Sequence, residues 1–78
     1  MGPIVVYTKN NCAWCDRVKK FLNENKVPYT TKNIEDPEIK EELFSLLPSV
    51  KTVPQLFVGP TPVGGYAETV AWFTWNNR

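Results

Sequence analysis

Apolar and polar residues follow one another in short blocks, and the spacing within each block predicts a helix or a strand. Residues 4–7 are β-branched and aromatic, which is typical of a buried strand. Residues 13–25 carry apolar side chains at helical spacing, and these are Trp14, Val18, Phe21 and Leu22. Residues 29–34 are rich in strand formers, so we expect a second strand, parallel to the first because the helix is the crossover.

The second half of the chain repeats this alternation. Asp36 and Pro37 resemble a helix cap and first turn, and apolar residues at helical spacing extend the helix to residue 47. Residues 55–58 predict a third strand, residues 59–62 a turn, and Val63 a very short antiparallel fourth strand. A last helix is predicted from Tyr66 to about Trp75. The expected fold is α/β, in the order β-α-β-α-β-β-α, with a four-stranded mixed sheet flanked by three helices.

Composition narrows the classes of function. The 78 residues predict one domain over the whole chain, and a net charge of +1 does not favour a nucleic-acid or membrane-surface partner. No apolar run approaches the ~18 residues of a membrane span, and the N-terminus lacks a signal-peptide pattern, so a cytoplasmic location is expected. The chain has no His, which removes the commonest general base and metal ligand.

Cys12 and Cys15 form a C-x-x-C pair between the first predicted strand and helix. In a cytosolic chain, this arrangement within a βαβ unit is typical of a redox motif. A helix N-terminus stabilises a thiolate, which is the nucleophile of disulfide exchange. Lys9, three residues earlier, adds positive charge, and Trp14 is expected to lie partly exposed beside the sulfur. We therefore predict that Cys12 attacks and Cys15 resolves.

Other interpretations of the two cysteines are weaker. A bridge that closes so small a loop contributes only about 2 kcal/mol by chain entropy, which is little for a structural disulfide. Zinc as a rule needs four ligands, and two Cys without His cannot supply them, so no metal site is expected.

Two further features sit where a ligand could contact the backbone. Pro54 opens a strand, and a cis bond before it would turn the Val53 backbone outward to pair with an extended ligand. Gly64 and Gly65 allow close approach to the start of the following helix, whose N–H groups suit a carboxylate. Taken alone, Pro54 could be an ordinary trans proline at the start of a strand. Taken alone, Gly64 and Gly65 could form a tight turn between a strand and a helix.

Taken together, three separated segments resemble those of a glutaredoxin. They are residues 7–9 with Cys12-Ala13-Trp14-Cys15, then residues 52–58, and then residues 64–68. The resemblance implies a thioredoxin-like fold, of the short form found in bacteria and phages, and a dithiol enzyme that uses glutathione. It also implies disulfide-containing protein substrates, ribonucleotide reductase among them, and a monomer.

The resemblance assigns residues to glutathione. Cys12 would form the mixed disulfide, and Lys9 and Lys51 would lie near the glycine carboxylate. The remaining residues implied to bind glutathione are Trp14, Thr52, Val53, a cis Pro54, Gly65, Tyr66, Ala67 and Glu68. Glu68 would face the γ-glutamyl amine. The chain departs from the family pattern at Ala13 (often Pro), at Ala67 (often a residue with a hydrogen-bonding side chain) and at Glu68 (usually Asp).

Two alternatives share the same residues. One is a redoxin reduced by thioredoxin reductase instead of glutathione. The other is a carrier that holds a 2Fe–2S cluster between two subunits, with glutathione completing the ligands.

Overall fold

Four short strands build one mixed sheet in the order β2-β1-β3-β4. The computed structural model describes residues 2–50 and 52–76. The elements are β1 (Ile4–Thr8), α1 (Ala13–Glu24), β2 (Thr30–Asn33), α2 (Pro37–Leu46), β3 (Gln55–Val58), β4 (Thr61–Gly64) and α3 (Tyr66–Asn76). Strand β1 pairs parallel with β2 and antiparallel with β3, which itself pairs antiparallel with β4. The predicted element order and mixed sheet are confirmed.

The two faces of the sheet carry separate apolar clusters because strand side chains alternate. Ile4, Val6, Leu56 and Val58 pack with residues of α1 and α3 on one face. Tyr7 and Phe57 lie on the other face, against Leu43 of α2. No helix in the described part of the chain is long and apolar enough to cross a membrane.

The hairpin between β3 and β4 is tighter than predicted. Val58 pairs with Thr61, so the turn consists of Gly59 and Pro60, and β4 begins two residues before Val63. Gly59 has a φ of +58°, which glycine adopts without steric cost. Pro62 is accommodated inside β4 because this strand lies at the sheet edge, where a missing N–H is tolerated.

The inward face of α1 is set by Cys15, Val18 and Leu22, all of which are completely buried. Trp14 has the helical spacing of the apolar face, and its side chain is 53% exposed, in agreement with the partly exposed position expected for it. The physical reason is angular, since Trp14 is rotated by about 100° from Cys15 around the helix. The second cysteine therefore takes the core position, and the tryptophan is left at the surface beside the motif.

Tyr7 couples the sheet to α2 through a polar contact. Its hydroxyl donates a hydrogen bond to the Glu42 carboxylate, which Lys32 Nζ also approaches to 2.8 Å. Burial, and then the hydrogen bond and negative charge of Glu42, raise the pKa of Tyr7 to about 12. Hydrogen bonds from Lys32 and Tyr7 lower the pKa of the Glu42 carboxyl.

This contact predicts an alkaline loss of stability. A tyrosine whose pKa is about 10 unfolded and about 12 folded stabilises the fold below pH 10 and stops doing so as the pH rises towards 12. Between about pH 8 and about pH 11, the advantage of the wild type over Tyr7→Phe in unfolding free energy should shrink by roughly 1.4 kcal/mol. Urea titrations at a series of pH values measure it.

Tyr29→Phe is the control, because Tyr29 packs against the cluster on the opposite face. Its difference from the wild type should not change in this way. A pH-independent difference between the wild type and Tyr7→Phe would contradict the linkage.

Candidate active site

Cys12 is the N-cap residue of α1, and its sulfur replaces the usual capping oxygen. Cys12 Sγ accepts a hydrogen bond from the backbone N–H of Cys15 at 3.2 Å. The Cys12 carbonyl accepts from the N–H of Asp16 at 3.1 Å, which begins the helical ladder. The first turn thus directs at this sulfur a backbone N–H that has no acceptor within the helix, together with the positive end of the α1 dipole.

The two cysteines are joined in a disulfide, with their Cα atoms 5.2 Å apart. They differ in access, since Cys12 keeps 8% of its surface and Cys15 is completely buried. Only Cys12 can meet an incoming sulfur without movement of the helix. The geometry therefore separates an outer thiol from an inner one within a single helical turn.

The loop before Cys12 is tied to the end of β2. The N–H of Asn10 donates to the Glu35 carboxylate at 2.7 Å, and Asn33 Nδ2 donates to Asn10 Oδ1 at 2.9 Å. Asn11 then takes a φ of +54°, a left-handed conformation that asparagine tolerates better than most residues. These bonds fix the direction in which the chain enters α1 and so the position of the Cys12 sulfur.

The segment before β3 approaches the same sulfur. Cys12 Sγ lies 3.9 Å from the carbonyl oxygen of Val53, and the peptide bond between Val53 and Pro54 is cis. The Cys12 sulfur is part of a disulfide and has no hydrogen, so its approach to the Val53 oxygen is a van der Waals contact and not a hydrogen bond. After reduction, the Cys12 thiol could donate a hydrogen bond to that oxygen. Gln55 Nε2 donates to the Thr52 carbonyl at 3.1 Å and holds the loop.

The start of α3 is built by Gly64, Gly65 and Glu68. Gly65 is the residue before the helix, and its N–H donates to Glu68 Oε1 at 2.9 Å, as in a capping box. Gly64 has a φ of +122°, and a Cβ there would lie 3.0 Å from the Glu68 side chain. A larger residue at this position would disturb the cap.

A groove of about 640 Å³ brings most of the predicted ligand-binding residues together. Its lining consists of Trp14, Arg17, Thr52, Val53, Pro54, Gln55, Gly65, Tyr66, Ala67 and Glu68. Trp14 and Tyr66 form one wall, with their ring centroids 5.7 Å apart. The groove thus joins the start of α1, the loop before β3 and the start of α3.

One predicted residue lies away from this groove. Lys9 lines another cleft, with Ile34, Glu35, Pro37 and Lys40, so its expected place near a carboxylate of glutathione stays a prediction. Lys51 lies outside the described residues.

Sequence reasoning missed two residues of the groove. Arg17 was not singled out in the sequence, yet it follows Trp14 by three positions, a spacing that places two helical side chains side by side. Gln55 is the one polar residue in β3, directly after Pro54.

Known proteins that are similar to this chain support its fold and its dithiol. The glutaredoxin family model matches residues 4–63 of the chain. The chain belongs to the glutaredoxin family. It is 38% identical over 66 residues to a glutaredoxin of Pseudomonas aeruginosa, a match that covers 83% of this chain and 77% of that protein. It is also similar to the glutaredoxin-like protein NrdH of Lactococcus lactis, with 41% identity over 55% of this chain and 61% of that one.

Among solved structures, a buckwheat glutaredoxin in complex with glutathione has a TM-score of 0.76 and 28% identity. The match covers 96% of this chain and 70% of that one. The fold is therefore thioredoxin-like. Membership of the glutaredoxin family and the Cys12–Cys15 pair make the chain a thiol–disulfide oxidoreductase.

The number of thiols in the chain is relevant to the alternative function as a carrier of a 2Fe–2S cluster. No group of three or more Cys, His, Asp or Glu side chains suited to a metal ion occurs within residues 2–50 and 52–76. A 2Fe–2S cluster needs four ligands, so two thiolates would have to come from outside this chain. This alternative stays untested.

The difference in access between the thiols predicts selective alkylation. After reduction, iodoacetamide should modify Cys12 well before Cys15, because Cys12 is the more exposed and caps the helix. Peptide mapping after short reaction times measures the order, and denatured protein, in which both thiols are exposed, is the control. Equal rates in the folded protein would contradict the assignment.

The capping carboxylate predicts a specific stability pattern. Glu68→Ala should lower the unfolding free energy by about 1 kcal/mol, because Gly65 N–H loses its acceptor. Glu68→Gln keeps a side-chain oxygen at the same reach and should lose less. Thermal or urea unfolding compares the two variants, and equal losses would argue against the cap.

Proposed function

We propose that the chain is a glutathione-dependent oxidoreductase that reduces protein disulfides and glutathione mixed disulfides. The observation that carries the proposal is the position of the Cys12 sulfur. It caps α1 and lies 3.9 Å from the Val53 carbonyl, at the loop that lines a groove leading to the start of α3. That groove offers exposed backbone and two aromatic rings to an extended peptide-like ligand.

For a mixed disulfide between glutathione and a protein, Cys12 alone is sufficient. Its thiolate attacks the glutathione sulfur, a new disulfide forms between Cys12 and glutathione, and the protein leaves as a thiolate that takes up a proton. A second glutathione thiolate then attacks the glutathione sulfur of that disulfide. Oxidised glutathione is released, and the Cys12 thiolate is regenerated.

For a disulfide within a protein, Cys15 is needed as well. Cys12 attacks one sulfur and forms a disulfide with the substrate, and the first substrate thiolate leaves. Cys15, one helical turn away, then attacks Cys12 and releases the second substrate thiolate. The product is the Cys12–Cys15 disulfide of this structure, which two glutathione molecules reduce again while they become oxidised glutathione.

The residues of the groove take the roles implied for them within this proposal. The Val53 backbone pairs with the cysteinyl part, and the start of α3 receives the γ-glutamyl part, with Glu68 supplying negative charge. The similarity to a NrdH protein supports ribonucleotide reductase as a candidate protein substrate. A cytoplasmic location and a monomeric state stay predictions.

Two serine substitutions test the roles of the thiols. Cys12→Ser should abolish every disulfide-reducing activity, because no exposed nucleophile remains. Cys15→Ser should keep the reduction of a glutathione mixed disulfide, which needs one thiol, and should lose the reduction of intramolecular protein disulfides. Steady-state assays with both kinds of substrate measure this difference, and total loss in Cys15→Ser would contradict the assigned roles.

The electron donor is tested on the unmodified protein. We expect turnover with glutathione and glutathione reductase. Turnover with thioredoxin reductase and none with glutathione would replace the proposal by the redoxin alternative.

A further inference from the structure

Within the described part of the chain, the groove is lined by one cationic and one anionic side chain. Arg17 and Glu68 are the charged residues in its lining. Glu68 already uses one carboxylate oxygen on the N–H of Gly65. Arg17 is exposed, and no carboxylate among the described residues lies within ion-pair distance of it. The Arg17 guanidinium thus lies at the groove with no ion-pair partner among residues 2–50 and 52–76.

A cation–π contact with Trp14 holds the Arg17 guanidinium at the groove. Its central carbon lies 4.5 Å from the centroid of the Trp14 ring, and that ring contacts Tyr66. Stacking uses the flat face of a guanidinium and leaves the N–H groups at its edge able to donate. Because these donors form a planar fork, the group suits a carboxylate better than a point charge does.

The neighbouring residues of α3 lack a side-chain donor at the position where one is expected. Ala67 has only its backbone N–H to offer, and the N–H of Gly65 is occupied by Glu68. Arg17 also lies beside Tyr66, the first residue of α3, with which it lines a second, adjoining cleft. A ligand carboxylate bound at the start of α3 would therefore lie close to the Arg17 guanidinium.

We propose that Arg17 is a specificity residue that binds the α-carboxylate of the γ-glutamyl group of glutathione. This inference rests on the proposed function. The guanidinium supplies the side-chain donors that Ala67 lacks, while Glu68, which lines the same groove, keeps one carboxylate oxygen for the γ-glutamyl amine. Arg17 acts on binding and takes no part in disulfide exchange.

The test combines Arg17→Gln with altered glutathiones. With glutathione, Arg17→Gln should raise the KM and lower kcat/KM by roughly five- to tenfold, about the effect of losing one net hydrogen bond. The KM for an intramolecular protein disulfide, which carries no γ-glutamyl group, should not change. The matched control is Lys19→Gln, which removes the same charge from α1 at a residue outside the groove, and it should behave as the wild type.

A glutathione whose γ-glutamyl α-carboxylate is replaced by a primary amide identifies the contact. It should be a poorer donor for the wild type by a similar factor, and Arg17→Gln should then cause no further loss, because both changes remove one interaction. A glutathione amidated at the glycine carboxylate should leave the effect of Arg17→Gln intact.

Several outcomes would overturn the inference. An unchanged KM in Arg17→Gln, or an equal loss with glutathione and with its α-amide, would do so. If only the glycine amide removed the effect, Arg17 would be bound to the other carboxylate and the assignment would be wrong. If the wild type used thioredoxin reductase and not glutathione, the proposed function would fall and the inference with it.

Discussion

The hydrogen bond from the Cys15 N–H to the Cys12 sulfur is the contact on which the rest of the site depends. It makes the sulfur a part of the helix end, so one interaction both orders the first turn and exposes the sulfur to the field of α1. A chain without histidine needs such a device, because no imidazole is present to remove the thiol proton. The fold supplies the activation through backbone groups that every helix has.

Two sets of contacts, one on each side, hold that sulfur in position. On one side, the carboxylate of Glu35 and the amide of Asn33 hold the loop through Asn10. On the other side, the carbonyl of Val53 lies against the sulfur in a segment that Gln55 braces. Because both sets of contacts end in strands of the sheet, the sheet acts as the rigid frame and the reactive group sits at the edge between two loops.

The element order and the position of the dithiol could be predicted because they depend on local signals. Helical spacing in α1 and the β-branched run in β1 are visible in a single sequence, and a C-x-x-C pair between them is unambiguous. The groove was only partly predictable. Trp14 shares its helical spacing with Val18 and Leu22 and was expected to lie partly exposed beside the sulfur, but the burial of the neighbouring Cys15 in its place on the inward face was not predicted. Arg17 looked like an ordinary surface charge, since the spacing that stacks it on Trp14 matters only once the start of α3 is placed beside both.

Glu68 shows why a motif residue cannot be assigned one role from its type. The family pattern places an acidic residue here for the ligand, and Glu is one methylene longer than the usual Asp. In this chain, that length lets the carboxylate reach back to the N–H of Gly65 and cap α3. One oxygen is then fixed by the protein and one remains for a ligand, so the negative charge of the groove is positioned before any ligand arrives. A preformed negative charge in the same groove as a guanidinium that lies over an aromatic ring favours a ligand group that carries both charges, a zwitterion.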